Sequence, residues 1–482
     1  MKILILQLAR LGDIYLTWPM IKGLREKFPE ATIDIMVRPR FAAACAGLNT
    51  FISNIIELPM ANIFKPLFDL DNLNSINDST NQLEDFLNLQ AKNNYDWIIN
   101  STFSPVSSYL THYLAQPHTK ISGYTRYSDG YLSLPDDISA YFYAQVGIQK
   151  FNRIHLSELF CLLADITPNN HLWNFRDLEI ENFKLPFEEY IVIHIGASQR
   201  AKTFPSYKWR ATLTNYFKTE STPVVLIGSG EELKDSDFIS YGFTETQVLN
   251  LTNKTSLSQL FSILKNSKLL IGCDSAPIHI ATLMNTPTLN ISFDSVNFWE
   301  TGPKAEKSRV LYGSSEVEIP SETVSQLITN FLSHGDFHAT VLNDQLLLEK
   351  VHSHDYSWKL IEFIYMNKEF PILLDSKINL ALEQIFETNE IMLHQLESML
   401  KFNDVERFKG IYNQADQIIE TIVLLAPELL PILNWYQTEK IKIGPENQKT
   451  IFNKTQKIHL TLKDYITILM KKGAELNEQS VG

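Results

Sequence analysis

Cysteine is scarce in this chain of 482 residues, which contains only Cys45, Cys161 and Cys273. Three widely spaced cysteines supply neither a disulfide framework nor the spacing of a metal site, so a reducing cytoplasm is the simplest location. No run approaches the roughly 18 apolar residues of a membrane-spanning helix, and the apolar start at residues 3–6 is too short for a signal peptide. We therefore expect a cytoplasmic protein, and contact with a membrane surface stays open.

Positive charge is also in short supply. The 42 Lys and Arg residues are outnumbered by 55 Asp and Glu residues, which gives a net charge of −13. This balance argues against general binding to a nucleic-acid backbone, although it leaves room for a local basic patch. We predict no nucleic-acid partner. The length indicates about three domains, because single domains usually contain 50 to 250 residues.

The first part of the chain alternates between strand and helix patterns. Apolar segments at residues 2–8, 32–37 and 96–100 predict strands, and the segments at 14–28 and 155–166 predict helices. Such alternation is typical of a parallel sheet with helices on its faces. Between these elements, residues 69–85 are rich in Asn, Asp and Ser and predict a surface loop.

The second part repeats this alternation, and the third part does not. Further strands are predicted at residues 190–195, 223–227, 268–272 and 287–291. Two such halves in tandem indicate a pair of Rossmann-like domains, and their strand ends predict a ligand cleft between them. From residue 376 to 473 apolar residues recur at helical spacing, which predicts an all-helical domain. We place the three domains at residues 1–175, 176–335 and 336–482.

An acidic turn follows the first predicted strand. Gly12 permits close approach of the backbone, and Asp13 is placed to project into the predicted cleft. The plainer alternative is that Asp13 only caps the following helix, a common role for aspartate at this position.

The second part opens with a loop suited to an anion. Residues 194–202 contain small residues, Ser198 and the cations Arg200 and Lys202 after a strand. Exposed backbone N–H groups and neighbouring cations are the groups that bind phosphate. The alternative is an exposed polar loop in which Lys202 is simply solvated.

A second acidic turn lies at residues 274–279. Asp274 or Ser275 can cap the next helix, whose positive end would then face a diphosphate. For His279, phosphate contact and a satisfied, partly buried imidazole are equally compatible with the sequence. Glu231 and Glu232, after another strand, suit either the hydroxyl groups of a ribose or a solvated acidic helix start.

No segment predicts a metal site or a cofactor. Asp69 and Asp71 have the spacing of a metal-binding acidic pair but fall in the predicted loop. His352 and His354 have no acidic or cysteine partner at ligand spacing. We therefore expect neither a metal nor another cofactor.

Together these segments resemble glycosyltransferase family 9, the ADP-heptose:lipopolysaccharide heptosyltransferases, over residues 1–330. The resemblance rests on the Gly12-Asp13 pair, on HIGAS at 194–198 followed by Lys202, and on DSAPIHIA at 274–281 followed by NTPT at 285–288. It implies a GT-B fold, in which two Rossmann-like domains face an interdomain cleft. The all-helical domain lies outside it.

The resemblance also implies inverting, metal-independent sugar transfer. Asp13 would be the catalytic base and Lys202 the cation that compensates the leaving nucleoside diphosphate. The donor, expected to be ADP-heptose, would be bound by Gly12, Ser198, Glu232, Asp274, Ser275, Ala276 and His279. The acceptor would be a glycan, glycolipid or protein, with lipopolysaccharide glycan favoured. Such chemistry suits a cytoplasmic enzyme in peripheral contact with the inner membrane.

Two alternatives stay open at this point. One is an enzyme of the same fold that modifies proteins. The other is a non-catalytic GT-B-like scaffold that acts through its helical region. That region suits self-association, partner binding or membrane docking, although a regularly spaced apolar face also forms an ordinary domain core.

Overall fold

The computed structural model describes residues 1–68, 74–147, 150–337, 346–349, 356–366, 368–369, 371 and 376–480. The chain groups into two compact units. The first unit comprises Met1–Thr102, Gln116–Lys120 and Ile154–His352, and the second comprises Phe103–Ala115, Ile121–Arg153 and Ser353–Gly482.

The strands, numbered in chain order, are β1 (Lys2–Leu6), β2 (Thr32–Val37), β3 (Asn54–Glu57), β4 (Trp97–Asn100), β5 (Lys120–Gly123), β6 (Thr125–Arg126), β7 (Leu132–Ser133), β8 (Ile191–His194), β9 (Val224–Ile227), β10 (Val248–Asn250), β11 (Leu270–Cys273), β12 (Thr288–Ser292), β13 (Arg309–Tyr312) and β14 (Leu347–Glu349).

The α-helices are α1 (Leu11–Lys27), α2 (Met60–Phe64), α3 (Ser75–Ala91), α4 (Pro105–Leu114), α5 (Asp137–Gln145), α6 (Leu156–Leu163), α7 (Ser206–Tyr216), α8 (Leu233–Ser240), α9 (Leu257–Asn266), α10 (Ala276–Leu283), α11 (Phe298–Thr301), α12 (Ser321–His334), α13 (Tyr356–Met366), α14 (Ser376–Phe402), α15 (Val405–Leu425), α16 (Leu430–Lys442) and α17 (Gln448–Ser480).

The first unit contains two parallel sheets, as the alternating pattern predicts. One sheet runs β3-β2-β1-β4 within this unit, and the other runs β10-β9-β8-β11-β12-β13-β14. In the second sheet β14 alone pairs antiparallel with its neighbour, β13. The central strand β1 is an unbroken apolar run because both of its faces are covered, which is usual in a parallel sheet. The tandem Rossmann-like prediction is confirmed.

Aromatic packing joins the helices of the two sheets. Trp18 of α1 stacks on Phe261 of α9, with ring centroids 5.3 Å apart, and Trp18 also contacts Phe175 at 5.2 Å. Lys304 and Glu158 add an ion pair of 2.6 Å. These contacts bring strand ends of the two sheets close to one another.

The second unit combines the helical C-terminal region with two segments from the first part of the chain, Phe103–Ala115 and Ile121–Arg153. The amide of Gln145 in α5 donates to the carbonyl of Pro431 at 3.1 Å, and Lys442 pairs with Asp137 at 2.7 Å. Tyr141 and Tyr365 pack edge to face at 5.0 Å. The predicted boundaries do not anticipate this interleaving, so the division at residues 175 and 335 stays a prediction.

One local prediction is wrong. Residues 75–91 form helix α3, although residues 69–85 were expected to be a loop, and residues 69–73 lie outside the described part. The many Asn, Asp and Ser side chains concealed a helical face. Its inward positions are Ser79, Leu83, Phe86, Leu87 and Gln90, spaced at i, i+4, i+7, i+8 and i+11.

Within the described residues, no single helix has the length and apolar composition to cross a membrane. The helices Val405–Leu425 and Pro427–Lys442 meet that standard only as a pair, and they bend by 116° at their junction.

Candidate active site

One cavity of about 780 Å³ in the first unit is lined by every residue that the sequence predicts for the site. These residues are Gly12, Asp13, Ser198, Lys202, Glu232, Asp274, Ser275, Ala276 and His279. They come from four turns that follow β1, β8, β9 and β11. Because parallel strands release the chain at their carboxyl ends, the four turns meet at one edge region.

Asp13 lies in the first turn of α1. Arg10 is the N-cap residue, and Asp13 accepts a hydrogen bond from the Arg10 backbone N–H at 2.9 Å. Burial raises the pKa of Asp13, and the charge of Asp274 adds to this, whereas the Arg10 hydrogen bond and the charges of Arg10 and Lys202 oppose it. The capping alternative is therefore correct in part. Asp13 stabilises the start of α1 through this hydrogen bond, and its carboxyl group also lines the cavity.

Lys202 and Asp274 form an ion pair inside the cavity. Lys202 Nζ lies 2.8 Å from Asp274 Oδ2, and the side chains are only 13 % and 12 % exposed. The alternative of a simply solvated Lys202 is wrong. Since both groups are largely desolvated, each depends on the other for charge compensation.

The start of α10 has no side-chain cap. Ser275 occupies the N-cap position, but its hydroxyl donates to the Cys273 carbonyl at 2.8 Å and meets His194 Nδ1 at 3.0 Å. Burial lowers the pKa of His194 to about 4, so the imidazole is neutral at neutral pH and donates from Nδ1. Pro277 has no N–H and the Ile278 N–H donates to the Ser275 carbonyl at 3.1 Å, so in the first turn of α10 the Ala276 N–H is the donor left for a ligand.

His279 of α10 packs against Gly12 of α1. Its side chain is 6 % exposed, and burial lowers its pKa to about 4. A Cβ on Gly12 would lie 2.9 Å from His279 Cδ2 and 3.1 Å from Nε2. Position 12 therefore needs glycine because an imidazole from the other sheet occupies the space of a side chain.

Replacing Gly12 by alanine is expected to lower kcat for a reaction catalysed in this cavity about 10-fold or more. The new methyl group must displace His279 or the first turn of α1, and a shift of about 1 Å at reacting groups costs roughly 100-fold. Overpacking should also lower the free energy of unfolding by about 1–3 kcal/mol. Steady-state kinetics and chemical denaturation measure both effects.

The matched control is Gly410→Ala, since a Cβ at Gly410 in helix α15 would meet no atom within 4 Å. That variant should keep its rate and be no less stable than the unmodified chain, because alanine favours a helix interior over glycine by about 1 kcal/mol. Equal behaviour of the two variants would contradict the importance of the contact between Gly12 and His279.

Glu232 accepts hydrogen bonds from a residue of its own turn. Its Oε2 accepts hydrogen bonds from the Ser229 backbone N–H and hydroxyl, both at 2.6 Å. A Cβ on Gly196 would lie 2.5 Å from Glu232 Oε1, so the carboxyl group covers that glycine. The alternative of a solvated acidic helix start does not describe Glu232, which holds the turn after β9 and lines the cavity.

Sequence reasoning missed several cavity residues. Arg10, His194, Asn253 and Thr255 line the cavity and were not chosen as site residues. His194 opens the HIGAS segment, so its motif was visible. Its contact with Ser275 was not, because it joins positions 81 residues apart.

Both weak metal candidates, Asp69-Leu70-Asp71 and His352 with His354, lie outside the described residues. Within the described residues, no group of three or more His, Cys, Asp or Glu side chains is placed to hold a metal ion.

Comparisons with known proteins point to heptosyltransferases. Residues 88–323 match Glycosyltransferase family 9 (heptosyltransferase). The chain is 24 % identical to lipopolysaccharide heptosyltransferase 3 of Escherichia coli strain K12 over 303 residues, which are 58 % of this chain and 79 % of that protein. It is 30 % identical to lipopolysaccharide heptosyltransferase 1 of Campylobacter coli over 165 residues, which are 33 % of this chain and 45 % of that protein.

The fold is also similar to that of solved structures. The E. coli heptosyltransferase WaaC with ADP matches with a TM-score of 0.51 at 17 % identity, over 68 % of this chain and 99 % of that one. WaaC with ADP-2-deoxy-2-fluoro heptose matches with a TM-score of 0.50 at 16 % identity and the same coverage. The predicted GT-B architecture, with a helical C-terminal region beyond it, is confirmed.

Proposed function

We propose that this chain is a member of glycosyltransferase family 9, the heptosyltransferase family, which residues 88–323 match, and that it moves a heptose or related sugar from an ADP-linked donor to a lipopolysaccharide-type glycan. The relatives named above support this donor and acceptor, because lipopolysaccharide heptosyltransferases are among them and WaaC is described with ADP. With such an acceptor, the transfer reaction would take place in the cytoplasm at the surface of the inner membrane.

One observation carries the proposal. A carboxyl group held by the first sheet, Asp13, lines the same cavity as Lys202 and the uncapped start of α10, which the second sheet holds. A base on one side and positive groups on the other are what transfer from a nucleoside diphosphate requires.

In the proposed step, the acceptor hydroxyl oxygen attacks the anomeric carbon of the sugar. The bond from that carbon to the phosphate oxygen breaks, and the nucleoside diphosphate leaves with the bonding electron pair. Asp13 takes the hydroxyl proton. Attack opposite the leaving group inverts the anomeric centre. The raised pKa of Asp13 suits this role, because a more basic carboxylate takes up a proton more readily.

The leaving diphosphate needs positive charge around it. We assign this to Lys202, the Ala276 N–H at the start of α10 and the hydroxyl of Ser198, in place of a metal ion. Preorganised donors of this kind typically contribute a factor of about 10²–10³ each to the rate. Glu232 would bind the ribose through Oε1, since Oε2 already holds Ser229.

A product assay tests the proposal. The purified chain is incubated with ADP-heptose or with UDP- and GDP-linked sugars, together with a truncated lipopolysaccharide acceptor or a protein acceptor. We expect mass spectrometry to find a heptosyl mass gain on the glycan, with ADP-heptose only, and at an unchanged rate in EDTA. Transfer to protein alone would support the protein-modifying alternative. Absence of both transfer and nucleotide binding would support the scaffold.

A further inference from the structure

The cation assigned to the leaving group is already partly neutralised. Lys202 lies 2.8 Å from Asp274, and both side chains are largely buried, so the pair brings little net positive charge to the cavity. A departing nucleoside diphosphate carries several negative charges. A further positive group is therefore needed close to the phosphate that releases the sugar.

Arg10 is a positive group at the right place. It precedes α1 with an extended backbone, and its side chain reaches the other sheet, where Nη1 donates to Ser198 Oγ at 3.1 Å. The guanidinium is exposed and lines the cavity. Throughout the part of the chain that the structure describes, no carboxylate forms an ion pair with it. Arginine presents five N–H donors in a planar arrangement that matches phosphate oxygens.

The position of Arg10 also indicates which phosphate it meets. Its backbone N–H donates to Asp13, so both residues belong to one turn. Asp13 must lie near the anomeric carbon in order to receive the acceptor proton. The β-phosphate of the donor is bonded to the opposite side of that carbon, and the Arg10 guanidinium meets Ser198, which is assigned to the diphosphate.

We propose that Arg10 is a catalytic residue that binds the β-phosphate of the nucleotide sugar and stabilises the charge that develops on it as the sugar leaves. This inference rests on the proposed function. The hydrogen bond to Ser198 directs the guanidinium to the loop after β8. Arg10 forms no covalent bond and transfers no proton, so the balance of the transfer step is unchanged.

The test compares ADP with AMP, which lacks the β-phosphate. Isothermal titration measures both affinities for the full chain and for Arg10→Gln. A hydrogen-bonded contact with a charged group is worth about 1.5–3 kcal/mol, or roughly 10- to 100-fold. We expect ADP binding to weaken by about that factor in Arg10→Gln and AMP binding to stay within about 2-fold. Arg10→Lys keeps the charge and should fall between the two.

Arg40→Gln is the matched control, because Arg40 lines the same cavity but packs on the ring of Phe41 at 4.4 Å. It should leave the preference for ADP over AMP unchanged. An unaltered ADP affinity in Arg10→Gln, or an equal loss for both nucleotides, overturns the inference while the proposed function stands. An unmodified chain that binds neither nucleotide contradicts the proposed function and this inference with it.

Discussion

Replacing Asp13 by asparagine is expected to lower kcat for sugar transfer by roughly 10²–10⁴-fold, the usual contribution of a positioned general base. The amide keeps an oxygen that can accept the Arg10 N–H bond but cannot take up the acceptor proton. Affinity for ADP should change by less than about 3-fold. Steady-state kinetics with the product assay and titration with ADP measure the two quantities separately.

Stability provides the control for this variant. The pKa of Asp13 is raised in the folded protein, so its ionised form at neutral pH is disfavoured by folding and contributes no stability there. Asp13→Asn should therefore be at least as stable as the unmodified enzyme at pH 7. A variant that folds, binds ADP and still transfers sugar at a near-normal rate would exclude Asp13 as the base.

The same raised pKa predicts the pH profile of the unmodified enzyme. The base must be ionised, so kcat/KM should fall as the pH drops through the pKa of Asp13, above the ordinary value of about 4 for aspartate. An acidic limb at or below that ordinary value would contradict the environment described for Asp13.

Replacing Lys202 by methionine is expected to have two large effects. It removes the cation that we propose for the leaving diphosphate, which should lower kcat by roughly 10²–10³-fold. It also leaves Asp274, only 12 % exposed, without its partner, which should lower the free energy of unfolding by about 3–5 kcal/mol. Product formation and denaturant unfolding measure the two losses.

A double variant separates the two effects. Replacing Lys202 by methionine together with Asp274 by leucine removes both charges, and such replacements are often neutral or stabilising. The double variant should regain stability without regaining transfer. Recovery of transfer together with stability would show that Lys202 serves only to compensate the buried charge of Asp274.

Local patterns predicted seven strands of the first unit because each is a short, mostly apolar run between turn residues; these are β1, β2, β4, β8, β9, β11 and β12. Strands β3, β10, β13 and β14 were not predicted. Segments such as 190–195 and 223–227 were recognised and correspond to β8 and β9. The same reasoning failed at residues 75–91, where polar composition outweighed a helical face formed by few apolar side chains. Composition reports the average environment of a segment, whereas its fold depends on which face is buried.

For the candidate site, the sequence predicted which residues take part but not how they interact. The turns at Asp13 and Asp274 were chosen from residue type and position after a strand, and the cavity brings them together. Their interactions were not predictable in the same way. The hydroxyl of Ser275 does not cap its helix, and Lys202 is not solvated, because each has a partner from another turn.

The sequence by itself determined the two Rossmann-like halves, the helical character of the C-terminal region and the identity of the turns that line the cavity. All of these follow from local apolar periodicity and from short motifs after strands. Only the tertiary structure decided that His279 excludes a side chain at position 12, that Arg10 reaches Ser198 and that residues 121–153 pack with the C-terminal helices. Such contacts join residues more than a hundred positions apart, and they depend on the way in which separately formed elements pack together.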